Sequence, residues 1–361
     1  MRIGIGALVG IVGGPATYAR ELVAALARLG GHEYVVFTDR PAAFAGLAVE
    51  CVRVPLASTY HQVLWDHLRL PGLVAARGLA LYHGTKGVLP WRLAVPGVVT
   101  VHDLAVYACP ETFAWPQRWH FRLCVPPSVA RAARVIVDSE HARADLVARL
   151  GTPAAKVRTV PLGVPPALRT PPAQAAVAAF LAAHGLGSRL VVCVGTVQPR
   201  KHVERVIAAF EEAGGAASGW QLVIAGRLRP GYAPPWLDRL PAGVRWLGPL
   251  DDEALRALYA AAEVAVSASD YEGFGLTVCE AMAAGCAVVA VGASAIPEVV
   301  GDAGVLVPRS ETALLAGALR TLLADPAARA ALGARARARA AAFTWEETAR
   351  RTRAVYEEVA G

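Results

Sequence analysis

The sequence predicts an α/β protein whose chain folds into two successive parallel-sheet domains, and three observations carry that expectation. Short β-branched runs alternate with longer Ala-, Leu- and Arg-rich stretches from one end to the other, the pattern of repeated strand–helix units. The alternation stops at Pro161-Leu162-Gly163-Val164-Pro165-Pro166 and Pro171-Pro172, where proline disfavours both helix and ladder, and then restarts. A length of 361 residues, 55% hydrophobic and 18% charged, suits two medium domains and excludes a disordered or fibrous chain.

Taken in order, Ile3, Ile5 and Ala7 mark a first buried strand over Arg2 to Ala7. Gly13-Gly14 then turns into a helical run from Tyr18 to Leu29, with Leu22, Ala25, Leu26 and Leu29 at helical spacing. The same stretch has the charged start, apolar core and small residues of a secretory leader; the buried strand is the preferred reading. Further strands are expected at Tyr34 to Phe37, Leu79 to His83, Val98 to His102, Val135 to Val137 and Val157 to Val160. After the proline-rich break come Leu190 to Val194, Gln221 to Ala225, Val244 to Leu247, Val264 to Ser267, Ala287 to Val291 and Val305 to Val307. Two Rossmann-like domains follow, 1–168 and 169–345, with a terminal helix over 346–361 introduced by Thr344. Facing each other, such sheets would bring their carboxyl ends to a shared cleft, so the site is sought in strand-to-helix loops.

Six scattered cysteines form no C-x-x-C pair, which suits a reduced, cytoplasmic compartment and makes a zinc site an unlikely expectation. No apolar run reaches about 18 residues, the length a membrane span needs. Residues 1–170 carry 18 Lys and Arg against 10 Asp and Glu, whereas 171–361 carry 18 against 19. The basic first half reads either as a solvated surface or as a face for an anionic partner such as a membrane surface. Nucleic acid is not expected, because no Lys/Arg block, RNP-like aromatic pattern or finger spacing occurs.

Three loops carry chemistry. Gly10-Ile11-Val12-Gly13-Gly14 precedes the first helix, where glycines let a phosphate approach backbone N–H groups; a bare tight turn is the alternative. Gly195-Thr196-Val197-Gln198-Pro199-Arg200-Lys201-His202 precedes the run Val203 to Phe210. Two cations at a helix start oppose the macrodipole, so Arg200 and Lys201 call for an anion. Glu272-Gly273-Phe274-Gly275-Leu276-Thr277 leads into Val278-Cys279-Glu280-Ala281-Met282-Ala283-Ala284-Gly285, where Glu280 is a charge in an apolar stretch and needs a partner if buried.

With these motifs in order, joined by Thr100-Val101-His102-Asp103-Leu104, Val137-Asp138-Ser139-Glu140, Val160-Pro161-Leu162-Gly163-Val164, Ile296-Pro297-Glu298 and Phe343-Thr344-Trp345-Glu346, the sequence resembles glycosyltransferase family 4. Its members are retaining nucleotide-sugar glycosyltransferases of the two-domain GT-B fold. The resemblance implies that Glu280 holds the ribose hydroxyls of the donor and that Glu272 faces the transferred sugar. Backbone from Phe274 through Gly275 and Leu276 to Thr277 would contact sugar and diphosphate. Lys201 and Arg200 would stabilise the leaving diphosphate without a metal ion. Gly13 and Gly14 would approach the same diphosphate, His102 would reach the sugar, and the terminal helix would cross back onto the first domain. The family is thought to react through an oxocarbenium-like, same-face substitution, so no carboxylate need form a covalent intermediate. A core histidine with its hydrogen bonds satisfied remains the alternative for His102.

Departures from the family pattern are Thr196 where an arginine is common, His202 where an asparagine often follows the lysine, and Thr277 where proline is frequent. The pattern is closest to bacterial mannosyltransferases, which implies GDP-mannose as donor, no cofactor, and a glycan or lipid-linked acceptor in polysaccharide or glycoconjugate synthesis. Trp115, Arg118, Trp119, His120, Phe121 and Arg122 form a basic aromatic cluster suited to weak membrane-surface contact at the inner face. Pro116, Pro126 and Pro127 are expected to interrupt any long helix there, leaving ordinary helix packing as the other reading. Rival functions are a catalytically inactive nucleotide-binding scaffold, or an epimerase or phosphorylase of the same fold.

Overall fold

The computed structural model describes residues 1–8, 13–55 and 65–361. The chain divides into two compact units, Met1–Gly163 together with Trp345–Gly361, and Val164–Thr344. The division falls a few residues before the expected 168/169 boundary for a physical reason. Val164 N–H donates to the Phe343 carbonyl at 2.9 Å and Val164 bridges to Thr344, while the Arg169 guanidinium donates to the carbonyls of Ala341 and Phe343. The residues after Gly163 are thereby tied to the second unit.

In the first unit, β1 (Arg2–Ala7), β2 (Glu33–Thr38), β3 (Glu50–Arg53), β4 (Leu81–Gly84), β5 (Gly97–Val101), β6 (Arg134–Val137) and β7 (Val157–Thr159) form one sheet. Its order is β3-β2-β1-β4-β5-β6-β7, with every pairing parallel. β1 is hydrogen-bonded on both edges, to β2 and β4, and its Ile3 and Ile5 are fully buried. The edge strand β3 escaped the sequence reading: Glu50 and Arg53 are exposed, so it shows neither a full apolar run nor a clean alternation.

The helix Gly14–Leu29 starts before the expected Tyr18, with Pro15 in its first turn, where a missing N–H costs nothing. The terminal helix Trp345–Ala360 packs along it, burying Trp345 and Tyr356, and Glu358 pairs with Arg134 and Arg158. The proline expectation for the aromatic cluster fails. Residues Trp115–Arg131 form one helix with Pro126 and Pro127 inside it. Pro116 sits in its first turn, and beyond the prolines Ser128 Oγ anchors the helix by donating to Cys124 O at 2.6 Å and accepting from Leu89 N–H at 2.9 Å.

In the second unit, β8 (Leu190–Val194), β9 (Gln221–Ala225), β10 (Val244–Gly248), β11 (Ala262–Ser267), β12 (Ala287–Val291) and β13 (Val305–Val307) form a parallel sheet in the order β10-β9-β8-β11-β12-β13. Val191, Leu222 and Ile224 of the sheet pack with Val206 and Phe210 of the helix Val203–Glu212 and with Leu315 and Leu319 of the helix Thr312–Ala324. Each fully buried side chain of this size contributes roughly 1.5 to 3 kcal/mol. Strand order reverses beside β1 and β4 in one sheet and beside β8 and β11 in the other, and the loops leaving such switch points are where open α/β sheets bind ligands. Among the described residues no helix is long and apolar enough to cross a membrane.

Candidate active site

The loop leaving β8 is held by backbone contacts that only glycine permits. Gly195 has φ +132° and Gly226 has φ +144°, and a Cβ on Gly226 would lie 2.0 Å from the Gly195 carbonyl oxygen. That closeness lets Gly195 N–H reach Ala225 O at 2.9 Å, Val197 N–H reach Arg227 O at 2.9 Å, and Arg229 N–H reach Val197 O at 3.0 Å. So braced, Pro199–Lys201 makes one tight turn, and His202 leaves it in the left-handed conformation before the helix Val203–Glu212 begins.

Beyond β11, the chain returns to that loop. Asp270 N–H donates to Arg200 O at 3.1 Å, and the Arg200 guanidinium donates to the Tyr271 carbonyl. Glu272, fixed by its own N–H to Ser294 Oγ at 2.7 Å, places Oε1 2.6 Å from Lys201 Nζ and 3.2 Å from Arg200 Nη1. Burial would raise the Glu272 carboxyl; the charge of Lys201, then that of Arg200, outweighs it and holds the pKa at about 2. The anion that two adjacent cations require at this loop is thus a carboxylate of the chain itself. Arg229 stands close by, bonded to Gln198 Oε1 at 3.1 Å, its pKa lowered by burial and then by the charge of Arg200.

The helix Leu276–Ala284 follows from Gly275, whose φ of +91° and contact with Ile296, 2.5 Å from where a Cβ would stand, admit no side chain. Its first turn, at Leu276 and Thr277, presents backbone N–H groups that intrahelical bonding does not use. Phe274 turns its ring onto Phe343, edge to face at 5.5 Å. Glu280 is buried rather than on a solvated face, and the Tyr259 hydroxyl sits 3.2 Å from its Oε2 and 3.1 Å from Thr277 O. Burial, and after it the Glu280 charge, pushes the Tyr259 hydroxyl pKa far up, so it remains a donor. Lys201, Arg200, Glu272 and Phe274–Gly275 therefore belong to the loops at the carboxyl ends of β8 and β11, and Glu280 to the helix that follows the second of them. Among the described residues no group of three or more His, Cys, Asp and Glu gathers as a metal cradle.

In the first unit, His102 follows β5 with both ring nitrogens engaged. Nδ1 donates to Asp138 Oδ2 at 2.8 Å and Nε2 donates to Thr85 O at 3.0 Å. Burial raises the Asp138 carboxyl above its ordinary value, against the charge of His102. Burial would lower the His102 pKa, but the charge and hydrogen bond of Asp138 raise it. The Tyr18 ring packs edge to face with the imidazole at 4.6 Å between centroids, and Tyr18 continues through Thr100 and His83 to Tyr356 of the terminal helix. Gly13, at φ +108°, caps the first helix, whereas a Cβ on Gly14 would meet nothing within 4 Å among the described residues. Gly10, Ile11 and Val12 of that loop lie outside the described residues.

Sequence reasoning missed Gly226, Arg229 and Tyr259 around the loops of the second unit, and Asp138 beside His102 in the first. Asp138 was visible only inside a longer motif. Gly226-Arg227-Leu228-Arg229, directly after β9, carries the same strand–glycine–cation signature as the β8 loop and was available to be found. Tyr259 had no signal, since a tyrosine in an apolar helical run reads as core.

Residues 12–168 match the family model described as Glycosyltransferase Family 4, and residues 188–325 that described as Glycosyl transferases group 1. D-inositol 3-phosphate glycosyltransferase of Kineococcus radiotolerans is 31% identical, the alignment covering 96% of this chain and 91% of that protein. O-antigen chain mannosyltransferase B of Escherichia coli is 28% identical over 77% of this chain and 74% of its own. Among solved structures, sucrose-phosphate synthase from Thermosynechococcus elongatus superposes with a TM-score of 0.77 at 27% identity, covering 99% of this chain and 98% of that one. An Anabaena protein in complex with UDP and glucose shares the fold, with a TM-score of 0.77 at 18% identity and coverage of 99% and 100%.

Proposed function

The chain belongs to glycosyltransferase family 4, and from that premise we propose that it moves a hexose, mannose first among candidates, from a nucleoside-diphosphate sugar to a glycan or lipid-linked acceptor with retention at the anomeric carbon. The observation that carries the reading is the convergence of Lys201, Arg200 and Glu272 beside the helix that buries Glu280. Glu280 accepts hydrogen bonds from the ribose hydroxyls while Tyr259 holds its other face. Lys201 and Arg200, with Arg229 near, neutralise charge on the departing diphosphate, a role a metal ion fills elsewhere, so the reaction proceeds without one.

In the transfer, the bond from the anomeric carbon to the phosphate oxygen breaks and its electron pair stays on the diphosphate. The acceptor oxygen bonds the carbon from the same face, and its proton passes to the departing phosphate. Glu272, kept ionised by its two cations, suits a hydrogen-bond acceptor for the sugar hydroxyls. The likeness to a protein named a mannosyltransferase supports GDP-mannose; the one named an inositol-phosphate glycosyltransferase argues for varying both donor and acceptor in the test. Weak contact with the inner membrane surface is supported by one helix face, where Trp115, Trp119 and Leu123 recur every fourth residue, all exposed, beside Arg118 and Arg122.

The test incubates the purified protein with GDP-mannose and, separately, UDP-glucose, with phosphorylated inositol and lipid-linked glycan acceptors, with and without EDTA. An α-linked product from an α-linked donor, formed equally in EDTA, is expected. An inverted product, or turnover abolished by EDTA and restored by magnesium, overturns the reading. Epimerised donor with no transfer product would identify the rival chemistry.

A further inference from the structure

His202 occupies a demanding position. Its φ of +46° is left-handed, a conformation that few side chains other than those of Asn, Asp and His tolerate, and it joins the Pro199–Lys201 turn to the helix Val203–Glu212. Its ring spans three segments. Nε2 donates to Asp270 Oδ2 at 2.5 Å and Nδ1 to Glu204 Oε1 at 3.1 Å. Asp270 lies two residues before Glu272, so the imidazole cross-links the loop bearing the cations to the loop bearing the carboxylate they face.

We propose that His202 is a positioning residue whose doubly protonated ring locks the Arg200–Lys201 turn to the Glu272 loop, making the affinity of this site for a diphosphate dependent on pH. The proposal rests on the reading of Arg200 and Lys201 as the diphosphate-holding cations. Only an imidazolium donates to both carboxylates; a neutral ring turns one lone pair against a carboxylate oxygen and releases either Asp270 or Glu204.

The charged and titratable groups around the ring are Glu204 and Arg205 of the following helix and Asp270 of the β11 loop. The Glu204 charge also acts on Tyr232 and Cys193, and Arg200 and Lys201 pair with Glu272. The hydrogen bond to Glu204, joined by the hydrogen bond and the charge of Asp270, raises the His202 pKa against burial and Arg205. The brace is therefore complete below the ordinary histidine value and is lost as pH rises through the raised one.

The test compares the full-length wild type with His202→Asn, which keeps tolerance of the left-handed backbone, and Asp270→Asn. Two quantities are followed from pH 6 to 9: hydrogen-exchange protection factors of the Lys201 and His202 amides, without ligand, and affinities for GDP and UDP by calorimetry. In the wild type both should fall by roughly three- to tenfold, the scale of one hydrogen bond, as pH rises through the His202 value. His202→Asn should start at the lower level and show no step, and Asp270→Asn should show a reduced one. Protection factors without a step, or with the same step in His202→Asn, overturn the proposal whether or not a nucleotide binds. A step in protection with no binding of either nucleotide leaves the brace standing and defeats the diphosphate reading instead. If His202→Asn does not fold, Asp270→Asn together with the wild-type profile still decides.

Discussion

Replacing Lys201 by Met and Glu272 by Gln, singly and together, measures the coupling on which the site is built. The structure sets the magnitude. Lys201 and Arg200 bring the Glu272 pKa from 4.5 to about 2, which at about 1.4 kcal/mol per pH unit amounts to about 3 kcal/mol favouring the charged carboxylate in the folded state. Lys201 is the nearer cation, at 2.6 Å against 3.2 Å for Arg200, and its charge is the larger of the two influences, so the double-mutant cycle should return a coupling of about 2 kcal/mol. Denaturant unfolding at pH 7 supplies the three differences. Because the folded pKa lies below the unfolded one, the stabilisation is full above pH 4.5 and disappears as pH falls towards about 2. The wild type should therefore lose stability over that window, and Lys201→Met should lose less. A coupling under about 0.5 kcal/mol, the level of an exposed pair, would refute a buried, cation-held Glu272.

Four further outcomes follow from the same geometry. Gly226→Ala should fold poorly or lose about 3 kcal/mol or more, since its Cβ would stand 2.0 Å from a carbonyl oxygen at φ +144°; thermal unfolding reads this. Gly14→Ala should leave the melting temperature within about a degree, as nothing lies within 4 Å of the new methyl among the described residues; a fall of several degrees in thermal unfolding would contradict this. Tyr259→Phe should cost about 1 to 2 kcal/mol of stability and weaken nucleotide binding, since the hydroxyl anchors a buried carboxylate. Asp138→Asn should lower the His102 pKa, because burial is then opposed only by the Asp103 charge and the hydrogen bond to Thr85. In the wild type the His102 contribution is full below pH 6.5 and lost as pH rises through the raised value, and the variant should lack that slope in unfolding or in an NMR titration of the ring.

How far the sequence foretold this architecture differs by element. Strands buried on both faces, such as Val35-Val36-Phe37 and Val288-Val289-Ala290, declare themselves as unbroken apolar runs, so twelve of the expected strands find counterparts. The edge strand at Glu50–Arg53 is half solvated and gives no such signal. Proline misled at Trp115–Arg131 because its usual penalty is a lost hydrogen bond and a local clash, which the packing of Cys124, Val125, Ser128 and Val129 against the sheet outweighs. In the site, residue types with a chemical oddity stood out: adjacent cations at a helix start, and a glutamate among alanines. Asp138 and Tyr259 did not, because their roles exist only through distant partners, 36 and 21 residues away in sequence.

The most direct test of the central claim is calorimetric titration with GDP, UDP, ADP and dTDP, first in EDTA and then with magnesium, for the wild type and Glu280→Ala. One nucleotide should bind preferentially, independently of magnesium, and lose about 1 to 3 kcal/mol of affinity in Glu280→Ala, the cost of a hydrogen bond to a charged group. Binding unchanged in Glu280→Ala, or no binding of any of the four, would contradict a nucleotide-sugar site at these loops.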